Sequence, residues 1–292
     1  MVVIVKPSCN NIDSYVEKKI NCFLLPIKDF SVESVNSFSI DEIKSIKNKY
    51  PNLSLFVSIN KNISNDDIED VKNILLELDK LQITGVFYYD ICLVKLKSDM
   101  NLSFDLVWDQ SHMVTNYKTC DYYYNNNNGV KYALLSKEIT LEEILEIIEK
   151  TAITPIVEVL SHPSVAFSKR HLVRNYYSDL GKTAKDEIVI KEKVSGDSYY
   201  VVDGDNGTNF LKKDIVQSCS FLNKLIDGGL KYCLLREDFI EHDIFLKVID
   251  MINNYINNSI DYSFEEFVDD IEELVGKDYG FLFKKTIYRV KK

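Results

Sequence analysis

Through its first 165 residues the chain alternates short, largely apolar runs with stretches whose apolar positions recur at helical spacing. The runs 2–5, 22–27, 53–59, 85–89, 104–108, 130–135 and 156–160 have strand length and little alternation, the pattern of strands covered on both faces. Between them lie helix signals. Asn11-Ile12-Asp13 caps a short helix reaching about residue 19, and Ser39 with Glu42 stands at capping-box spacing ahead of another. Ser64 opens a helix over 65–81 whose Ile68, Val71, Leu75 and Leu78 share one face. Thr140 and Glu143 repeat the capping box before a helix running to 149. Repeated βα units with short connections imply parallel strands and right-handed crossovers. Seven such units before residue 165 fit a closed TIM-like (β/α) barrel better than an open doubly wound sheet.

The pattern then breaks. Runs 187–193 and 198–202 alternate around Ser195-Gly196-Asp197, which predicts a hairpin. The tract from Asp203 to Gly207 reads as a second turn, not a phosphate cradle, and leads into a short strand over 208–211. A helix is expected over 214–226, an eighth strand over 230–235 after Gly228-Gly229, and its helix over 243–256. The expectation is one TIM-like barrel domain over 1–292, with a β-hairpin insertion at 186–212 before the last βα unit. A strand-like tail is expected over 276–292, and the Asn-rich tract 125–128 is expected to be a loop.

Composition changes this picture little. The chain is 46% hydrophobic and 27% charged, with ten glycines and five prolines, as globular proteins are. A net charge of −10 argues against a surface generally coated for nucleic acid, and leaves room for a local basic site. No apolar run approaches membrane-spanning length, so no membrane association is expected. The N-terminus enters Val2-Val3-Ile4-Val5 without signal-peptide architecture, which predicts a cytoplasmic protein. The six cysteines include no CxxC pair, and Cys22, Cys92 and Cys233 lie in or beside apolar runs, so structural thiols are expected.

In βα barrels the working groups gather at the carboxyl ends of the strands. Here those ends carry Lys6, Ser8, Asn60, Asp90, Asp109, Gln110, Lys137, Glu138 and His162. Glu138 and His162 are the candidate catalytic acid and base. Asn60, Asp90, Gln110 and Lys137 are candidate substrate contacts. Polar strand ends also occur simply because loops are solvated, and His162 fits a hydrogen-bonded structural role equally well. Arg170 and His171, with Lys169 and Arg174, form a short basic cluster suited to a phosphate or carboxylate, or to a solvated helix start. No Walker sequence, G-x-S-x-G or HExxH motif is present.

Several of these residues resemble motifs of the collagenase-like peptidases, family thirty-two of unknown catalytic type. Leu135-Ser136-Lys137-Glu138-Ile139 resembles that family's leucine-serine-arginine-glutamate-leucine signature. Gln110 and Thr115-Asn116 resemble its preceding elements, and Glu158 to His162 its glutamate-x-phenylalanine-x-histidine-glycine strand, with Pro163 in the glycine's place. Asp205-Asn206-Gly207-Thr208 is similar to its asparagine-glycine-threonine segment, and 281–290 to the tail of its short members. The resemblance covers nearly the whole chain and implies a TIM-like barrel. It also implies either tRNA wobble-uridine hydroxylation, with tRNA as a partner, or proteolysis of collagen-like substrates. A further implied role is that of a non-catalytic partner of a longer, cysteine-bearing paralogue. Cluster-bearing members place cysteines where this chain has Ala166 and Ser168-Lys169-Arg170-His171, so no iron–sulfur cluster and no other cofactor is expected.

Overall fold

The structure is a computed structural model that describes residues 1–32, 34–126, 129–185, 187–257 and 262–284. Seven strands come first: β1 (Val2–Lys6), β2 (Cys22–Pro26), β3 (Ser54–Ile59), β4 (Gly85–Tyr88), β5 (Asp105–Trp108), β6 (Val130–Leu134) and β7 (Thr154–Ser161). Five follow before the eighth barrel strand: β8 (Ser164–Ser168), β9 (Glu187–Lys191), β10 (Ser198–Gly204), β11 (Gly207–Lys212) and β12 (Val216–Gln217). The last is β13 (Tyr232–Arg236). Each of β1 to β6 pairs in parallel with the next, β7 pairs in parallel with β13, and β13 closes the ring onto β1. The expected TIM-like barrel is therefore present, closed and eight-stranded.

Side-chain alternation along the strands divides the core in two. One residue from every barrel strand fills the interior: Ile4, Leu24, Phe56, Phe87, Val107, Leu134, Ile156 and Leu234. Phe56 is the central block, meeting Phe87 and Tyr132 edge-on with ring centroids 5.7 Å apart in each case. Gly85 makes room for it, since a Cβ there would lie 3.0 Å from the Phe56 ring. The intervening strand residues face outward onto the helices. Of the expected stripe Ile68, Val71, Leu75 and Leu78, the last three are buried there in the helix Ile68–Lys80, with Ile68 half-buried at its start. Both predicted capping boxes form, at Ser39/Glu42 and at Thr140/Glu143.

The insertion is larger than a hairpin. Its sheet runs β8-β11-β10-β9 and is antiparallel, so it begins at Ser164, well before the expected 186. The β10–β11 turn reaches back to the barrel, where the Asn206 amide donates to the Ser31 carbonyl at 2.8 Å. The helix expected over 214–226 is displaced. Val216 and Gln217 instead pair antiparallel with the end of β7, and the buried Gln217 side chain holds Ser220 in the following turn. Only Leu222–Asp227 is α-helical there. A helix missed in the sequence, Phe264–Val275, begins at the Ser263/Glu266 capping box and ends at Gly276. Residues 281–283 form a turn rather than a strand, with the Leu282 carbonyl accepting from Leu141 N at 3.0 Å. The rest of the expected tail, 285–292, lies outside the described residues, as do 127 and 128 of the Asn tract.

Candidate functional site

The barrel interior changes character two residues beyond its apolar layer. The positions following Ile4, Ile156 and Leu234 on the same strand face are Lys6, Glu158 and Arg236, whose side chains are all closed from water. Glu158 accepts from the Arg236 guanidinium, from the Ser161 hydroxyl and from Lys137 Nζ at 3.2 Å. Burial alone would raise its pKa, but the Lys137 and Arg236 cations overrule it and hold the carboxyl at about 2. Lys6 pairs with Asp238, whose second oxygen accepts from Val35 N at 3.1 Å. Burial pulls the Lys6 pKa down, and Asp238 opposes that shift. These five charges, three positive and two negative, form the floor of the mouth. A β-bulge in β7, opposite the Leu234–Leu235 step of β13, ends the regular pairing just beyond Glu158.

Two cavities lie at the strand exits, and the smaller one reaches Lys137 and Glu158 of that floor. One of about 530 Å³ lies between the rim and β8, and its lining includes Asn60, Lys61, Tyr89, Asp109, Glu138, Phe167 and Lys169. The other, of about 300 Å³, is lined by Leu135, Lys137, Ile144, Val157, Glu158 and Phe281 among others. Glu138, Ser111, Ser164 and Val165 border both, so Glu138 stands where the cavities meet.

The predicted site residues divide accordingly. Asn60, Lys137 and Glu138 are brought to the mouth. Asn60 holds Val32 N at 2.9 Å and faces Asp109 at 3.5 Å. Gln110 supports the rim from behind, donating to the Tyr89 carbonyl at 2.6 Å and accepting from Trp108 Nε1 at 2.9 Å. Asp90 accepts from Ile63 N and Cys92 N, both at 3.0 Å, and so fixes two loops. His162 stands apart from Glu138. Its Nδ1–H donates to the Lys212 carbonyl at 3.1 Å, and its ring meets Tyr200 and Phe239 edge-on. Burial pushes its pKa down, which suits a neutral wedge between the barrel and the small sheet. His171 Nδ1 bonds the fully buried Asp203 at 2.9 Å, while Arg170 is exposed beside Lys169.

Sequence reading missed Glu158, Arg236 and Asp238 as site residues. The signal was available: a charged residue two positions after an inward apolar residue, at the carboxyl end of a buried strand. It also missed Glu237, whose buried carboxylate joins the loops after β1 and β13. That carboxylate accepts from Ser8 N and His242 Nδ1, both at 2.7 Å, and from the Tyr15 hydroxyl. His242 Nε2 in turn lies 3.1 Å from the Ser14 hydroxyl.

The residues at the family's cluster positions do not fit an iron–sulfur group. Ala166 and Arg170 are exposed non-ligands, and His171 is engaged by Asp203. Cys22, Cys120, Cys219 and Cys233 are buried in the core, where burial raises each thiol pKa. Among the described residues no three His, Cys, Asp or Glu side chains gather to hold a metal ion.

Fold and site together define an α/β-barrel protein with an ion-paired floor and a roofed mouth. The chain belongs to peptidase family U32, whose family model matches residues 8–284. It is 23% identical over 287 residues to tRNA hydroxylation protein P2 of Bacillus subtilis (strain 168), a match covering 91% of this chain and 92% of that protein. A solved U32 peptidase is 14% identical with a TM-score of 0.44, covering 55% of this chain and 68% of that one. A tryptophan synthase complex from Pyrococcus furiosus is 9% identical with a TM-score of 0.44, covering 94% and 98%.

Proposed function

We propose that this chain acts in tRNA hydroxylation, at the wobble uridine, in the cytoplasm. The observation that carries the reading is its end-to-end similarity to a protein named for that process. The mouth supports it. A cavity of about 530 Å³ is in the range that holds a small molecule or one nucleotide. Its lining joins two rings, Tyr89 and Phe167, to the exposed Asn62 amide and the exposed Lys169 cation. Rings stack on a base, amides read its edge and cations hold its phosphate. An enzyme that modifies a base takes it out of the stack and into such a pocket. Ala166 and His171 at the family's cysteine positions support work alongside a longer, cysteine-bearing paralogue. Deleting the gene and quantifying hydroxylated wobble uridine by mass spectrometry tests the reading; unchanged modification would sink it.

A second reading, hydrolysis, has one geometric observation in its favour. Ser14, His242 and Glu237 form a hydrogen-bonded chain, with contacts of 3.1 Å and 2.7 Å, in the order nucleophile, base, orienting carboxylate. A fluorophosphonate probe that fails to label Ser14 would remove this reading.

A further inference from the structure

We propose that the segment 164–185, which runs from β8 through the helix Leu172–Asp179, is an RNA-docking face that delivers a single-stranded loop to the barrel mouth. This deepens the tRNA reading and rests on it.

Charge is the first argument. The segment holds five Lys or Arg residues (169, 170, 174, 182, 185) and one Asp (179), a charge of +4. With a total of −10, the rest of the chain carries −14. At physiological salt, fields fade within about 8 Å, so a polyanion meets the local patch rather than the net charge. Lys169, Arg170, Lys182 and Lys185 are exposed.

Position is the second. Phe167 and Lys169 line the mouth cavity from the same strand and its exit, so the patch is continuous with the site. Phe167 is 38% exposed and Tyr176, which meets Tyr177 edge-on, 62% exposed, which leaves two rings accessible for base stacking within the basic segment.

The third argument is mechanical. Three buried or constrained groups in the β10–β11 hairpin hold the backbone of this segment. Asp203 accepts from Arg174 N at 2.8 Å and from His171 Nδ1. Thr208 accepts from Leu172 N and donates to the Arg170 carbonyl, both at 2.8 Å. Gly207, at φ +122°, presses so closely that a Cβ would fall 2.1 Å from the Ser168 carbonyl oxygen. The backbone of Arg170 is thus fixed on both sides while its side chain remains in water. A fixed backbone beneath exposed cations lowers the ordering cost of gripping a phosphate chain.

The test is fluorescence anisotropy of the full chain with an unmodified tRNA transcript, over a salt series. Lys169→Glu/Arg170→Glu is compared with Lys72→Glu/Lys80→Glu, a charge reversal on the outer helix Ile68–Lys80. The first pair is expected to weaken binding at least about tenfold and to flatten the salt slope by about 1.4, from two lost single-strand phosphate contacts. Phe167→Ala is expected to weaken it about tenfold with the slope unchanged. Melting curves check that each variant is folded. No binding by the unaltered chain, or equal loss in the Lys72/Lys80 variant, overturns the proposal. If binding follows these expectations but gene deletion leaves hydroxylation intact, the docking face stands and the hydroxylation reading falls. If deletion abolishes hydroxylation and the Lys169/Arg170 variant restores it fully, the function stands and the docking face is refuted.

Discussion

Glu158 on β7 and Arg236 on β13 form an ion pair inside the barrel, with side chains only 2% and 7% exposed. Neither charge has water to fall back on, so losing the partner charge is costly to both. Glu158→Ala is expected to destabilise the fold by about 3–5 kcal/mol, because it takes the carboxylate away from buried Arg236 and loosens Lys137. Replacing both, as Glu158→Leu/Arg236→Met, should cost less than the single change. Urea unfolding at neutral pH measures both. Additive losses would show that the two residues act separately.

Acid should destabilise the protein in two stages. Glu158 has a folded pKa depressed from 4.5 to about 2, so its stabilisation is present above 4.5 and drains away as pH falls through about 2. His162 is held neutral by burial, with its pKa below 6.5. Its contribution is present above 6.5 and is lost first as the pH drops below that value. His162→Asn keeps a donor for the Lys212 carbonyl and removes the titration. It should abolish the early stage in a pH series of melting temperatures and leave the later one intact.

Gly207→Ala tests how tightly the hairpin clamps the basic segment. The substitution puts a side chain at φ +122° and drives its Cβ into the Ser168 carbonyl, against backbone that has nowhere to yield. A loss of more than about 1 kcal/mol is expected from the glycine conformation alone. Hydrogen exchange should show faster opening of the helix Leu172–Asp179, with the barrel strands unchanged. Uniform loss of protection would mean that the small sheet and the barrel open as one unit.

The barrel was legible because its strands are buried on both faces and its helices announce themselves with capping boxes at Ser39 and Thr140. The rim was legible only in part. Asn60, Lys137 and Glu138 lie at strand exits, where polarity stands out against the preceding apolar run. Glu158 lies inside such a run, flanked by Val157 and Val159, and reads as an interruption of a strand. Its partner Arg236 is 78 positions away, and no local pattern links them. Asp214 to Ile226 has helical composition, yet β12 forms because the end of β7 offers Leu160 and Ser161 as partners. Tertiary pairing overrode local preference there. His162 drew attention as a rare histidine, and the residues that engage it, Lys212 and Phe239, are distant in sequence.

Glu138 separates the chemistry of the mouth from its architecture. It is exposed, it borders both cavities, and among the described residues its backbone amide alone is tied down, donating to the Ser136 hydroxyl at 3.2 Å. Its carboxylate therefore holds no loop in place, and Glu138→Ala should shift stability by no more than about 0.5 kcal/mol. If the mouth works on a nucleotide, a carboxylate at the junction of its two cavities is placed to accept a proton or orient a base edge. Removing a positioned acid–base group costs about 10²–10⁴-fold in rate. In a deletion strain complemented with Glu138→Ala, hydroxylated wobble uridine should then fall at least tenfold, at unchanged protein level. The conservative Glu138→Gln separates the roles, because an amide can still orient a base but cannot take a proton. Activity kept by glutamine and lost by alanine assigns positioning. Loss in both assigns proton transfer, and full activity in both removes Glu138 from the reaction.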